Sequence, residues 1–169
     1  AIPEEVIERD YGCGDPTNWV NLNDVVLDLG SGSGKNAFIC AQIVGRGGQV
    51  IGVDQNQDML NLSRKSIEYV ANKIGYKNTR FIEGSIEKLD ELDINLNPII
   101  KDDSIDIILS NCVLNLVNPE SRNNLLKNIK RVLKRNGRIA ISDIVSNKKV
   151  PIELQKDPDL WSGCISGAW

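Results

Sequence analysis

The sequence predicts an α/β domain: a doubly wound, mostly parallel sheet of strand order 3-2-1-4-5. Three observations predict it. Short apolar, β-branched runs alternate with helical patterns along most of the chain. Three of the connections between those runs are long enough to be helical crossovers, which makes the joined strands parallel. A glycine-rich turn, Asp28-Leu29-Gly30-Ser31-Gly32-Ser33-Gly34, joins the first such strand to the first long helix. In sheets of this kind ligands bind beyond the strand carboxyl ends, at the switch point between strands one and four.

Taken in order, the pattern gives a short helix around 3–9, then a loop at Tyr11-Gly12-Cys13-Gly14-Asp15-Pro16 by its glycine and proline content. Strand one covers 24–29. The first long helix covers about 34–45, with Ala37, Cys40, Ala41 and Val44 on one stripe and Gly45, Gly47 and Gly48 ending it. Strand two, 49–53, closes on Asp54. The second helix spans about 56–75, with Leu60, Ile67, Val70, Ala71 and Ile74 facing inward and Gly75 as its C-terminal stop. Strand three, 78–83, leads into Gly84-Ser85-Ile86-Glu87, a short helix over 85–90 and a loop through Pro98 to Asp103. Strand four, 105–109, ends in Ser110-Asn111-Cys112. Asn118-Pro119-Glu120 opens a helix over 119–134, Asn136-Gly137 breaks it, and strand five runs 138–144.

The 169 residues, 41% hydrophobic and 25% charged, suit one soluble globular domain. Residues 1–23 form its N-terminal cap segment and 145–169 a partial substrate-side segment. A net charge of -3 argues against nucleic acid as a partner. Most of the basic cluster Lys127, Lys130, Arg131, Lys134, Arg135 and Arg138 falls late in a helix, and it reads as a solvated face. No apolar run reaches the roughly 18 residues of a membrane span. Cysteines at 13, 40, 112 and 164 make no C-x-x-C pair, and a reducing, cytoplasmic setting is expected. Histidine is absent, which favours chemistry that needs no general base near neutral pH.

The glycine-rich turn departs from the dinucleotide-binding pattern G-x-G-x-x-G: its third glycine comes one residue early, and Lys35 takes the vacated place. Glycines there permit positive φ and close approach of a ligand to the main chain, and the amides opening the helix suit anionic or polar groups. The pattern resembles the first motif of S-adenosylmethionine-dependent methyltransferases. Asp54, 20 positions past Gly34, is placed to accept hydrogen bonds from ribose hydroxyls. S-adenosylmethionine and a nicotinamide dinucleotide both carry such a ribose, and Asp54 also fits an N-cap of the next helix.

Further motifs narrow the resemblance. Tyr11-Gly12-Cys13-Gly14, the loop Asp28–Gly34, Gly52-Val53-Asp54 with Met59, Gly84-x-Ile86-Glu87, Ser110-Asn111-Cys112-Val113-x-Asn115-Leu116, Ser142-Asp143 and the run from Val150 to Cys164 are together similar to arsenite methyltransferases. This resemblance covers essentially the whole chain. It implies S-adenosylmethionine as cofactor, trivalent arsenic presented as a thiol complex as substrate, and a thiol reductant as co-reactant. It implies Cys112 and Cys164 as the arsenic-binding pair and Cys13 as the third thiol. Gly30, Ser31, Gly32 and Gly34 would contact the methionine part of the cofactor, near Asp28. Asp54 and Gln55 would lie at the ribose, Met59, Ile86 and Glu87 at the adenine, and Tyr11 and Asn111 elsewhere on the cofactor. Met59 and Ile86 also suit plain core packing. Cys40 matches no family cysteine and reads as core.

The chemistry is consistent with that resemblance. Trivalent arsenic is thiophilic, and thiolates are the soft ligands proteins possess. Bound by sulfur it keeps a lone pair, which can attack a sulfonium methyl with no proton removed. The family carries seven strands where five are countable here, so the chain reads as a fragment or a shortened relative. Strand five would then be an open edge unless residues 145–169 or a second subunit cover it. Two other readings stand beside this one: methylation of another small molecule, such as a quinone, and a non-catalytic domain that holds the cofactor or a metalloid.

Overall fold

The computed structural model describes residues 1–91 and 97–168. Five strands, β1 (Val25–Leu29), β2 (Gln49–Asp54), β3 (Thr79–Glu83), β4 (Ile105–Asn111) and β5 (Leu133–Ser142), form one sheet in the order β3-β2-β1-β4-β5. Every pairing is parallel. The predicted fold class and strand order are those observed.

The central strands β1, β2 and β4 are covered on both faces, which is why they are largely apolar runs rather than alternating ones. On one face Val26, Val50, Ile107 and Leu109 pack with Phe38 and Ala41 of helix α2 (Lys35–Val44) and Leu60 and Val70 of helix α3 (Gln57–Ile74). On the other, Leu27, Leu29, Ile105 and Ile108 pack with Leu125, Ile129 and Val132 of helix α4 (Arg122–Val132). Helix α1 (Glu4–Glu8) drives the fully buried Val6 into the first of these clusters. Cys40 is buried there as well, and burial pushes its thiol pKa far up, with Asp28 adding to the shift, so it is an inert core residue. No helix among the described residues is long and apolar enough to cross a membrane.

The N-cap of α3 is Asn56, whose side chain accepts from the amides of Asp58 and Met59, so Asp54 is left for other work. Gly75 ends that helix in the left-handed conformation.

The end of β4, both ends of α4 and the span of β5, which runs Leu133–Ser142 and not 138–144, differ from the sequence reading. Strand β4 continues further than expected, to Asn111. Helix α4 starts at Arg122: the Asn118 side chain accepts from the Glu120 amide and the Asn118 carbonyl from the Ser121 amide, so Asn-Pro-Glu forms a turn ahead of the helix. The helix then ends at Val132, short of Asn136-Gly137. Gly137 lies inside β5, within a register irregularity that sets Leu133 opposite Ile105 and Arg138 opposite Ile107. A Cβ on Gly137 would sit 2.5 Å from Leu133 Cγ, so only glycine fits that bulge.

The predicted loop toward Asp103 falls partly, at 92–96, outside the described residues, as does Trp169. Three of the basic residues are paired rather than merely solvated: Arg131 with Asp102, Lys134 with Asp106 and Arg138 with Asp24. Residues 145–168, with short helices α5 (Ile152–Gln155) and α6 (Pro158–Ser162), do not cover the sheet edge. Ile139 and Ile141 of β5 remain 46% and 51% exposed. The segment turns back instead onto the loop after β4 and the start of α4, where Asn115 donates to the Cys164 carbonyl and Arg122 to that of Gly167.

Candidate active site

At the carboxyl end of β1 the chain reverses over three glycines with φ of 67°, 51° and 91° at Gly30, Gly32 and Gly34. The amides of Gly30 and Ser31 both donate to the Val53 carbonyl, which fastens the loop to β2. A Cβ on Gly30 would lie 2.6 Å from the Val113 side chain, and one on Gly34 2.7 Å from Phe81. Those two glycines exist for close packing. Gly32 differs: nothing lies within 4 Å of its Cβ position, so its outer face is open to a ligand.

The Asp54 carboxylate holds this loop in place. One of its oxygens accepts from the Gly32 amide at 2.8 Å and the other from the Asn56 amide at 2.8 Å. Asp28 is 1% exposed, and its Oδ2 has no partner among the described residues; the hydroxyls of Ser31 and Ser110 are likewise buried and unpartnered. Burial first, then the nearby charges of Asp54 and Asp10, pushes the Asp28 carboxyl up to about 7. The N-terminal segment closes over the loop: the Ser33 hydroxyl donates to the Val6 carbonyl at 2.8 Å, and Lys35 pairs with Asp10 at 2.6 Å.

This end of the sheet fits S-adenosylmethionine. That molecule carries two cationic groups, an ammonium and a sulfonium, and the site offers a cluster of carboxylates with an unpartnered buried oxygen. Met59 is half-buried at the start of α3. Ile86 and Glu87 are half-buried after β3, where the Glu87 carbonyl accepts from the side chains of Asn124 and Asn128. Gln55 is exposed beside Asp54, and Tyr11 is 80% exposed.

The three cysteines expected to act together converge at the carboxyl ends of β4 and β5. A disulfide links Cys13 to Cys112 across 99 residues of sequence. The Cys164 thiol donates to the Cys112 carbonyl at 3.0 Å. The sequence offers no C-x-x-C pair to announce a disulfide; the pairing is made by tertiary structure. Cys13 is exposed, while Cys112 and Cys164 are 9% and 5% exposed. Burial, and then the Asp143 carboxylate, raise the Cys164 pKa, which keeps it a protonated thiol and a donor. Asp143 also approaches the disulfide: its carboxylate and the sulfurs of Cys13 and Cys112 lie within 4.8 Å of one another.

Two of these cysteines hold backbone conformations that favour glycine, with φ of 56° at Cys112 and 62° at Cys164. Such a residue costs about 1–2 kcal/mol. Cys164 occupies the left-handed position of a Schellman helix end: its amide donates to Trp161 and the next amide, of Ile165, to Leu160. Strain of this kind gathers at functional sites.

The loop around Cys13 reaches β4 and β5 because its flanking residues are glycines. A Cβ on Gly12 would lie 2.2 Å from Asn111 Nδ2, and one on Gly14 2.0 Å from Ser142 Oγ. Asn111, expected beside the cofactor, spends its side chain here. Its Oδ1 accepts from the amides of Cys13 and Gly14, and its Nδ2 donates to the Gly14 carbonyl. Sequence reasoning assigns no part to Asp10, Ser110, Asn115 or Asp143. For Asn115 the signal is structural and not local to the sequence: it is 1% exposed, and a buried amide requires dedicated partners.

The thiol cluster adjoins the glycine loop directly, since Val113 packs on Gly30. A five-stranded 3-2-1-4-5 sheet with such a loop defines the class, a methyltransferase domain of the S-adenosylmethionine-dependent kind. The chain belongs to the methyltransferase-domain family, which matches residues 21–169.

Within that class it is similar to arsenite methyltransferases. It is 38% identical to the human enzyme, over 99% of this chain and 43% of that protein. It is 37% identical to the enzyme of Aquipseudomonas alcaligenes, over 99% of this chain and 46% of that one. It superposes on an arsenic(III) S-adenosylmethionine methyltransferase from Chlamydomonas reinhardtii with a TM-score of 0.87 and 35% identity, covering 99% of this chain and 54% of that structure. The chain therefore spans about half the length, or less, of the relatives it matches.

Proposed function

We propose that this domain binds S-adenosylmethionine at the Gly30–Gly34 end of the sheet and directs its methyl group to trivalent arsenic held by Cys112 and Cys164, with Cys13 as third thiol. The observation that carries the reading is the meeting of three cysteines, distant in sequence, beside the residue that packs on the glycine loop. Asp28 and the backbone of the loop receive the amino-acid part of the cofactor, Asp54 and Gln55 the ribose, and Met59, Ile86 and Glu87 the adenine, with Tyr11 at the rim.

The bound cofactor would supply an electrophilic sulfonium methyl. The protein's part is to load and orient the acceptor. Arsenous acid condenses with thiols, each forming an As–S bond as one hydroxide leaves as water, so the thiol's own proton departs with it. No general base is required, in keeping with a chain that has no histidine. Held by Cys112 and Cys164, arsenic would present its lone pair to that methyl, and the electron pair of the C–S bond would stay with the sulfur. Arsenic is formally oxidised by two electrons, and a thiol reductant returns it to the trivalent state. The same reductant acts earlier too, because Cys112 can bind arsenic only after its bond to Cys13 is cleaved. A reducing cytoplasm supplies such thiols.

The test is incubation with S-adenosylmethionine, arsenite and a thiol, with mass spectrometry of the products and of the protein. Arsenic retained on the reduced chain, and methylated arsenic in solution, support the reading. A reduced chain that binds the cofactor but no arsenite overturns the substrate while leaving the fold class in place. A quinone-type acceptor would show itself by activity that survives Cys112→Ser.

A further inference from the structure

Both asparagines that flank Cys112 spend their amides on the segments that carry the other two thiols. Asn111 is 9% exposed and makes three hydrogen bonds to Cys13 and Gly14, at 3.0, 3.1 and 2.8 Å. Asn115 is 1% exposed, and its Nδ2 donates to the Cys164 carbonyl at 3.0 Å and the Ile144 carbonyl at 2.7 Å. Its backbone amide donates to Asp143. The two segments lie 97 and 49 residues away along the chain, so chain connectivity alone does little to hold either cysteine at Cys112. We infer that Asn111 and Asn115 are positioning residues, one for each distant thiol: Asn111 seats Cys13, Asn115 seats Cys164, and Cys112 stands between them.

An amide suits this work because it presents an acceptor and a donor side by side, as a peptide group does. Asn111 uses both on one turn, and so fixes the orientation of that turn as well as its distance. Buried hydrogen bonds of this kind also resist exchange for water. The left-handed conformations of Cys112 and Cys164 persist because the surroundings over-determine them, and the two asparagines belong to those surroundings.

This inference rests on the thiol reading above and divides it in two. The test takes the whole chain in two backgrounds. In Cys164→Ser, a glutathione redox buffer reads the Cys13–Cys112 pair: one glutathione disulfide oxidises two protein thiols to one protein disulfide and leaves as two reduced glutathiones. Asn111→Ala should lower that equilibrium constant about tenfold or more, and Asn115→Ala by at most about twofold. In Cys13→Ser, phenylarsine oxide, which condenses with two thiols and releases one water, reads Cys112 and Cys164. Here Asn115→Ala should weaken binding about tenfold, and Asn111→Ala by at most about twofold.

If either variant fails to fold, the same clamps are reached from the other side. Gly12→Ala sets a Cβ 2.2 Å from Asn111 Nδ2 and should depress only the first readout; Gly167→Ala sets one 1.8 Å from the Asn115 carbonyl oxygen and should depress only the second. Equal losses in both readouts, or none in either, overturn the inference, because a merely structural role has no preference between thiols. The glutathione arm contains neither arsenic nor S-adenosylmethionine. A chain that cannot methylate arsenite can therefore still pass it, and the two failures stay distinct.

Discussion

The two ends of the site are built in opposite ways. The glycine loop is a local device: Gly30, Gly32 and Gly34 turn the chain, and the next strand along, β2, supplies Val53 and Asp54 to hold it. Its special backbone angles fall on glycines. The thiol end is assembled from residues near the start, middle and end of the chain, and its special angles fall on Cys112 and Cys164. Glycine adopts those angles at no steric cost, whereas cysteine does not. The loop's unusual angles therefore cost little, while the thiol end carries two strained side chains, as the proposed use of their sulfurs would require.

If the two ends work separately, mutations should separate them. The largest effect is expected at the thiol end. Cys112→Ser in the reduced chain should weaken arsenite binding by about 100-fold or more, since a hydroxyl is a hard, poor ligand for a soft centre. Affinity for S-adenosylmethionine should stay within about twofold. Parallel titrations of both ligands check this, and equal loss of both would merge the two ends into one.

A smaller effect is expected at Asp28. Its carboxyl is held up to about 7 from an ordinary 3.8, so between those values the native chain binds more protons than the unfolded one. Stability therefore falls as the pH rises through that window, by at most about 1.4 kcal/mol per unit. A cationic ligand favours the ionised carboxylate. Affinity for S-adenosylmethionine should thus rise with pH up to about 7 and then level, with a proton released on binding below that point. Asp28→Asn should flatten this profile, lower the affinity about tenfold at a pH about one unit above the Asp28 pKa and raise the stability of the ligand-free chain there. Calorimetry in buffers of different ionisation enthalpy reads the proton directly; an unchanged profile would remove Asp28 from the site.

The smallest effect sharpens the comparison within the loop itself. Gly32 and Gly75 both have positive φ, 51° and 84°, and at neither would an added Cβ have an atom within 4 Å. Alanine at either should cost about 1 kcal/mol in stability. Only Gly32→Ala should also weaken the cofactor, because the open space above Gly32 is its proposed seat. Thermal melts paired with cofactor titrations separate strain from obstruction.

The same contrast explains what is legible in the sequence. The sheet order, the three long helices and the loop follow from periodicity and from glycine spacing, both local properties. Asp54 is visible by its distance from Gly34, although its hydrogen bond to the Gly32 amide is not. The cysteines stand out as thiols in recognisable motifs, but nothing local tells that Cys13 reaches Cys112. That contact depends on Gly12 and Gly14 lying flat against Asn111 and Ser142, which only coordinates show. The start of α4 differs from its expected place because Asn-Pro-Glu suits a turn as well as a helix start, and the choice between them is made by packing. The path of residues 145–168 is equally hidden, because short helices with weak periodicity carry no address.

The bond between Cys13 and Cys112 closes the polypeptide into a covalent ring that contains β1, β2, β3 and β4. A single cut of the backbone between Cys13 and Cys112 would leave one molecule while that ring is sealed and two pieces once it is opened. The oxidation state of the thiol end is thereby written into the mass of a nicked chain, where a denaturing gel with and without reductant can read it.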